Sequence, residues 1–184
     1  MATSRANAQN SAMARTVDVT RTYLRLLKPD ALRPVAIADD RLKFERIPDI
    51  AVARARQLYT DVGAAYHWHD RYQWSDDVYA TYLARPRLSC WLLTWTGDDA
   101  GFVEIEKHPD GGVEIVLFGL LARFHGRGFG KHMLTAAVRE AWRQGPTHVW
   151  LHTCTLDSPR AMPNYLARGF TPYREEQYTT TIAG

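Results

Sequence analysis

Residues 113 to 142 constrain the fold more than any other part of the chain. Val113-Glu114-Ile115-Val116-Leu117-Phe118-Gly119-Leu120-Leu121 is an apolar run of strand length. It leads into a glycine-rich turn, His125-Gly126-Arg127-Gly128-Phe129-Gly130. Met133, Leu134, Ala137, Val138, Ala141 and Trp142 then repeat near a period of 3.6, which predicts an amphipathic helix stopped by Gly145-Pro146. Strand, glycines and helix start together make a cradle for an anion. The first amides of a helix have no partner, the aligned peptides add partial positive charge, and glycine lets a ligand approach the backbone.

Two phosphate-binding classes fail on spacing. Gly130-Lys131 is followed by His132, so the lysine-serine/threonine pair of a P-loop is missing. A dinucleotide fingerprint belongs in an early strand-helix-strand unit with an acidic residue about twenty positions on. Here the turn lies late, and His148 to Leu151 carries no acid.

The chain reads in order as follows. Residues 1–20 are expected as a disordered tail, polar and without an acidic residue as far as Thr16, and residues 21–184 as one domain. A mitochondrial transit peptide shares that tail composition, and no apolar core of a secretory signal stands there. Thr22 to Leu27 and Leu42 to Ile47 read as strands, and Pro48 to Val62 as a helix closed by Gly63. Ser75 caps a second helix running to about Ala84. Cys90–Thr96, Phe102–Lys107 and the Val113 strand form an antiparallel meander joined by Gly97 to Gly101 and Pro109 to Gly112. After the central helix come a strand at His148–Thr155, a helix opened by Asp157 with Pro163 inside it, and a last strand from Tyr173.

With 184 residues, 46% hydrophobic and 23% charged, the chain suits one soluble core. Its net charge of +3 makes no case for nucleic acid, and no apolar run is long enough for a membrane span. Cys90 and Cys154 are expected as small buried thiols in a reducing, cytoplasmic setting.

The glycine turn and the element order resemble the GNAT superfamily of acyl-CoA-dependent N-acetyltransferases. The family turn is Gln or Arg, two residues, Gly, one residue, Gly or Ala; here His125 departs at the first position. Ala161, Tyr165 and Gly169-Phe170 match a second family spacing, with Ser158 where the family often has Asn. The resemblance covers about Leu42 to Gln177. It implies an α/β (α+β) GNAT fold, a central mixed, mostly antiparallel sheet flanked by helices. Thr22–Leu27 is then an extra N-terminal strand. The family sheet has two strands after its last helix, and this chain has room for one. The spare strand is expected at the edge so left, within the chain or across a homodimer.

The resemblance also implies acetyl-CoA as co-substrate, no metal, and direct acetyl transfer in a ternary complex to an amine of a small molecule or peptide. The Val113 and His148 strands would splay around pantetheine. Gly119 and Leu120 would contact pantetheine, and His125, Gly126, Arg127, Gly128, Phe129, Gly130 and Lys131 the pyrophosphate. Glu114, a carboxylate in an apolar strand, is the base candidate, and His152 is the alternative. Tyr165 is the candidate acid for the departing thiolate. Tyr66, Trp68, Arg71 and Trp74 come from an aromatic stretch suited to an amine acceptor. His67 and His69 lack further ligands at metal-site spacing. A non-catalytic acyl-CoA-binding module on the same fold is the second reading. RNA binding through His125-Gly126-Arg127-Gly128 is a distant third, without a basic field or aromatic motif.

Overall fold

The computed structural model describes residues 15–64 and 66–182. At its centre stand β5 (Gly112–Leu120) and α3 (Phe129–Arg143), joined by a short 3-10 turn at Ala122–Phe124. The helical period of the sequence becomes a buried stripe: Met133, Leu134, Ala137, Val138 and Ala141 have no exposure.

Six more strands flank β5: β1 (Arg15–Leu26), β2 (Leu42–Ile47), β3 (Leu88–Trp95), β4 (Asp98–Lys107), β6 (His148–Cys154) and β7 (Thr171–Ile182). Their order is β2-β3-β4-β5-β6-β1-β7. Every pairing is antiparallel except β5 with β6. That parallel pairing covers Gly112–His148, Val113–Val149 and Glu114–Trp150, and then the strands part. The expected splay is therefore present, beginning at Ile115.

Helices α1 (Val52–Gly63) and α3 cover opposite faces of the sheet. Gly101 and Leu120 are opposite in β4 and β5, and a Cβ on Gly101 would lie 2.7 Å from Met133 of α3. Gly119, one residue back and so on the other face, packs against Val62 of α1 so closely that a Cβ would overlap it. Helix α2 (Asp76–Leu83) follows α1, with Ser75 Oγ accepting from the Val78 amide at 3.3 Å. Helix α4 (Ala161–Ala167) precedes β7 and carries Pro163 in its first turn, where no intrahelical donor is lost.

Several boundaries differ from the sequence reading. The N-terminal strand begins at Arg15, so residues 15–20, expected as tail, belong to the sheet; residues 1–14 lie outside the described residues. The strand is not at an edge: β1 sits inside the sheet, antiparallel to β6 and β7, and β7 is the edge. Helix α1 starts at Val52 rather than Pro48. Asp98 and Asp99 belong to β4, and Thr96 and Gly97, both with positive φ, make the turn. Asp157 does not cap α4. Its Oδ2 accepts from Thr153 Oγ1 at 2.6 Å and from the Cys154 amide at 3.0 Å, so it braces the end of β6.

Candidate active site

A cleft of about 790 Å³ opens where β5 and β6 part. Beyond Glu114 the β6-facing edge of β5 has no strand partner, so its backbone is available to a ligand. The glycine turn closes one end. Gly126 and Gly128 have φ of 79° and 80°, and a Cβ on Gly126 would meet nothing within 4 Å. Backbone conformation rather than crowding thus demands glycine at Gly126. Gly128 is the N-cap of α3 and brings no side-chain cap, which leaves the first amides of the helix to a ligand. His125, at the position where the resemblance breaks, has Nε2 3.1 Å from Leu120 O and ties the turn to the end of β5.

Gly119, Leu120, His125, Gly126, Gly128, Phe129, Gly130 and Lys131 all line the cleft. Arg127 does not; its guanidinium lies 5.7 Å from the Phe124 ring centre. Two further residues were not singled out from sequence. Asn164 Nδ2 donates to Gly130 O at 3.3 Å, while its Oδ1 is buried without a partner. Arg168, one helical turn on, is 8% exposed, and its Nε and Nη1 are buried without partners. Both side chains line the cleft. Unmet buried donors and an acceptor are costly, and they fit a ligand carrying amides and phosphates, as coenzyme A does. The four-residue spacing of Asn164 and Arg168 on a helix was the signal that could have found them.

The proton-handling groups lie on both sides of the gap. Glu114 and His152 share the face covered by α1. Glu114 Oε2 is 2.8 Å from His108 Nε2, and Glu114 Oε1 is 3.8 Å from His152 Nε2. Burial pushes the Glu114 carboxyl above its ordinary range, with His108 opposing. Burial also pushes His152 below its ordinary value, and the Arg21 charge adds to this. His152 lines the cleft and Glu114 does not. Tyr165 lines the cleft from the opposite face, edge-on to Phe118 at 6.1 Å, and burial raises its phenol well above the usual value.

The aromatic stretch divides in two. Tyr66 and Trp68 line the cleft, with Trp68 packed on Tyr59 at 5.6 Å. Arg71 and Trp74 do not, which corrects their expected role. Arg71 donates to Glu104 Oε1 and Oε2, both at 2.8 Å, and to Tyr82 Oη at 2.8 Å. Trp74 packs on Arg71, Tyr79 and Tyr82. Glu104 has no exposure, so Arg71 answers a buried charge and is not free to meet a ligand. Cys90 is buried as expected, but Cys154 is half-buried and lines the cleft. Among the described residues, no group of three or more His, Cys, Asp or Glu could hold a metal ion.

Known proteins share the sequence profile and the fold. The sequence profile of the Acetyltransferase (GNAT) family matches residues 52–170. Mycothiol acetyltransferase from Corynebacterium efficiens is 30% identical over 115 residues, which span 58% of this chain and 37% of that protein. A GCN5-related N-acetyltransferase from Sphaerobacter thermophilus superposes with a TM-score of 0.65 at 16% identity, over 93% of this chain and 54% of that one. The ribosomal-protein-S18-alanine N-acetyltransferase from Escherichia coli gives 0.57 at 16% identity, over 77% of this chain and 93% of that one. These structural likenesses speak to the fold. With a profile match over more than half of its length, the chain belongs to the Acetyltransferase (GNAT) family.

Proposed function

We propose that the chain transfers an acetyl group from acetyl-CoA to a primary amine of a small molecule or peptide, by direct attack in a ternary complex. One observation carries the reading. The gap between β5 and β6 runs past a left-handed glycine turn and the buried, unpartnered atoms of Asn164 and Arg168. Acetyl-CoA supplies an acetyl group activated as a thioester. The amides of Gly126 to Gly130 bind its pyrophosphate, with the Lys131 charge beside them, and the free edge of β5 meets its amide groups.

His152 takes the proton from the acceptor ammonium, since it reaches the cleft and burial keeps it neutral near pH 7. Glu114 lies behind it and favours the imidazolium that results. The amine nitrogen then bonds to the carbonyl carbon, the carbon–sulfur bond breaks, and Tyr165 protonates the departing thiolate. The nitrogen, cationic after the attack, loses its second proton to solvent, the phenol regains its proton from solvent, and His152 releases the one it took.

Calorimetry with acetyl-CoA and a thiol-release screen of amines test the reading. Gly128→Val places a branched side chain in a left-handed turn, a strain of ~1–3 kcal/mol that the fold survives. Coenzyme affinity falls at least ~10-fold, about 1.4 kcal/mol. Unchanged affinity in the folded variant overturns the assignment.

A further inference from the structure

The N-terminal strand brings a charge into the cleft that the acetyl-transfer chemistry does not use. Arg21 of β1 lines the cleft and is half-buried. Its Nε is buried with no hydrogen-bond partner. Its Nη2 reaches Tyr178 Oη at 3.5 Å, and its guanidinium lies 5.0 Å from the centre of that ring. It forms no ion pair among the described residues.

Glu176 of β7 and Asp157 at the end of β6 are engaged elsewhere. Glu176 stands opposite Arg21 in the β1–β7 register. Its Oε2 accepts from Tyr23 Oη at 2.7 Å, and its other oxygen pairs with Arg174. Asp157 spends Oδ2 on Thr153 and Cys154. An arginine kept unpaired in a partly desolvated cleft is costly, and its fork matches a carboxylate.

Register sets what that carboxylate belongs to. Arg21 is opposite Cys154 and Tyr23 is opposite His152. Arg21 and His152 are therefore diagonal neighbours on one face, ~7–8 Å apart at the backbone. Asp70 lines the same cleft and offers a negative charge to an ammonium.

We propose that the acceptor is a small amino acid, its amine delivered to His152 and its carboxylate held by Arg21 and Tyr178. This rests on the acetyl-transfer reading of the cleft. A single unpaired cation answers a single carboxylate, and the short spacing suits a free amino acid. A peptide N-terminus has no carboxylate at that distance. Arg21 is then a specificity residue, contributed by the strand that lies between β6 and β7.

The test uses the full chain, acetyl-CoA, the twenty protein amino acids and their carboxamides as matched pairs, with thiol release as readout. The accepted amino acids exceed their amides at least ~10-fold in kcat/KM, a difference of about 1.4 kcal/mol. In Arg21→Gln that ratio falls toward one through a rise in KM for the acid, while acetyl-CoA affinity by calorimetry stays within about twofold of the wild type. Arg21→Lys keeps the charge and restores part of the preference, which separates recognition from a fold defect. Equal rates for acids and amides in the wild type overturn the inference. So does a preference that survives in Arg21→Gln. If acetyl-CoA binds and amines are acetylated without regard to a carboxylate, only this inference falls. If acetyl-CoA does not bind, the acetyl-transfer reading falls with it.

Discussion

Glu114 Oε1 lies 3.8 Å from His152 Nε2, and the histidine alone of the pair lines the cleft. On the proposed mechanism the carboxylate acts through the imidazole, which sets an order of effects. His152→Ala lowers kcat about 10²-fold, the usual scale for a general base. Glu114→Gln lowers it by roughly 10-fold, since it removes only what stabilises the imidazolium. The double variant is no slower than His152→Ala, because the two residues serve one proton transfer. Multiplying losses in the double variant rule out the relay.

The pH profile follows from the same histidine. Burial lowers the His152 pKa from 6.5, and the base must be neutral to accept a proton. A lowered pKa leaves the neutral form dominant at pH 7, and the rate is lost as pH falls through that pKa. The acid limb of kcat/KM therefore lies below 6.5 and disappears in His152→Gln. An acid limb above 7 that persists in this variant places the base elsewhere.

Tyr165 packs edge-on against both Phe118 and Phe170, at 6.1 and 6.3 Å, so phenylalanine preserves its contacts. With its pKa raised by burial, the phenol keeps its proton throughout the working range, as the proposed donor role requires. Tyr165→Phe lowers kcat at least ~10-fold with little change in acetyl-CoA affinity. Acetyl thioesters of more acidic thiols need less protonation and recover most of the loss. A deficit that is the same for every leaving thiol assigns the tyrosine to packing alone.

Much of the site was legible because it is local. The glycine turn, the α3 period and the Ala161–Tyr165–Gly169 spacing each lie within one short segment, where backbone conformation and helical phase decide the outcome. The splay of β5 from β6 was expected from the resemblance rather than from composition. What was missed depends on distant partners. Arg71 reads as part of an acceptor-binding aromatic stretch until Glu104, 33 residues on, claims it. Arg15 to Thr20 has too few apolar residues to signal a strand, and only pairing with β7 along one edge makes it one. Asp157 has the composition of a cap, but the backbone turns before the helix and the carboxylate binds Thr153 instead. Arg21 could not be placed at the cleft without knowing that β1 adjoins β6.

The Arg71–Glu104 pair makes a stability prediction. Glu104 has no exposure, and removing it strands a buried guanidinium among Tyr59, Trp74, Tyr79 and Tyr82. Glu104→Ala costs about 3–5 kcal/mol, because an uncompensated buried charge remains. Replacing both partners by apolar side chains, Arg71→Met with Glu104→Leu, regains most of that loss. Denaturant unfolding checks both variants. Equal stability of Glu104→Ala and the wild type would mean that Arg71 finds water or another acid.

The last prediction concerns β1 as a structural element. It pairs with β6 from Arg21 to Leu26 and with β7 from Arg15 to Arg25. Val19, Leu24 and Leu26 are 1%, 0% and 1% exposed. Burying each such side chain is worth ~1.5–3 kcal/mol, so the three together approach the ~5–15 kcal/mol that separates a folded domain from its unfolded chain. Without β1, β7 has no partner strand, and β6 presents a bare edge beside the cleft. A chain lacking residues 1–28 is therefore expected to aggregate or to melt without cooperativity. Leu24→Asp in the full chain gives the same direction by a single buried charge, independent of the truncation. Size-exclusion chromatography and thermal unfolding decide the matter. A truncated chain that elutes as one species and melts within a few degrees of the full chain shows that the rest of the sheet closes without β1.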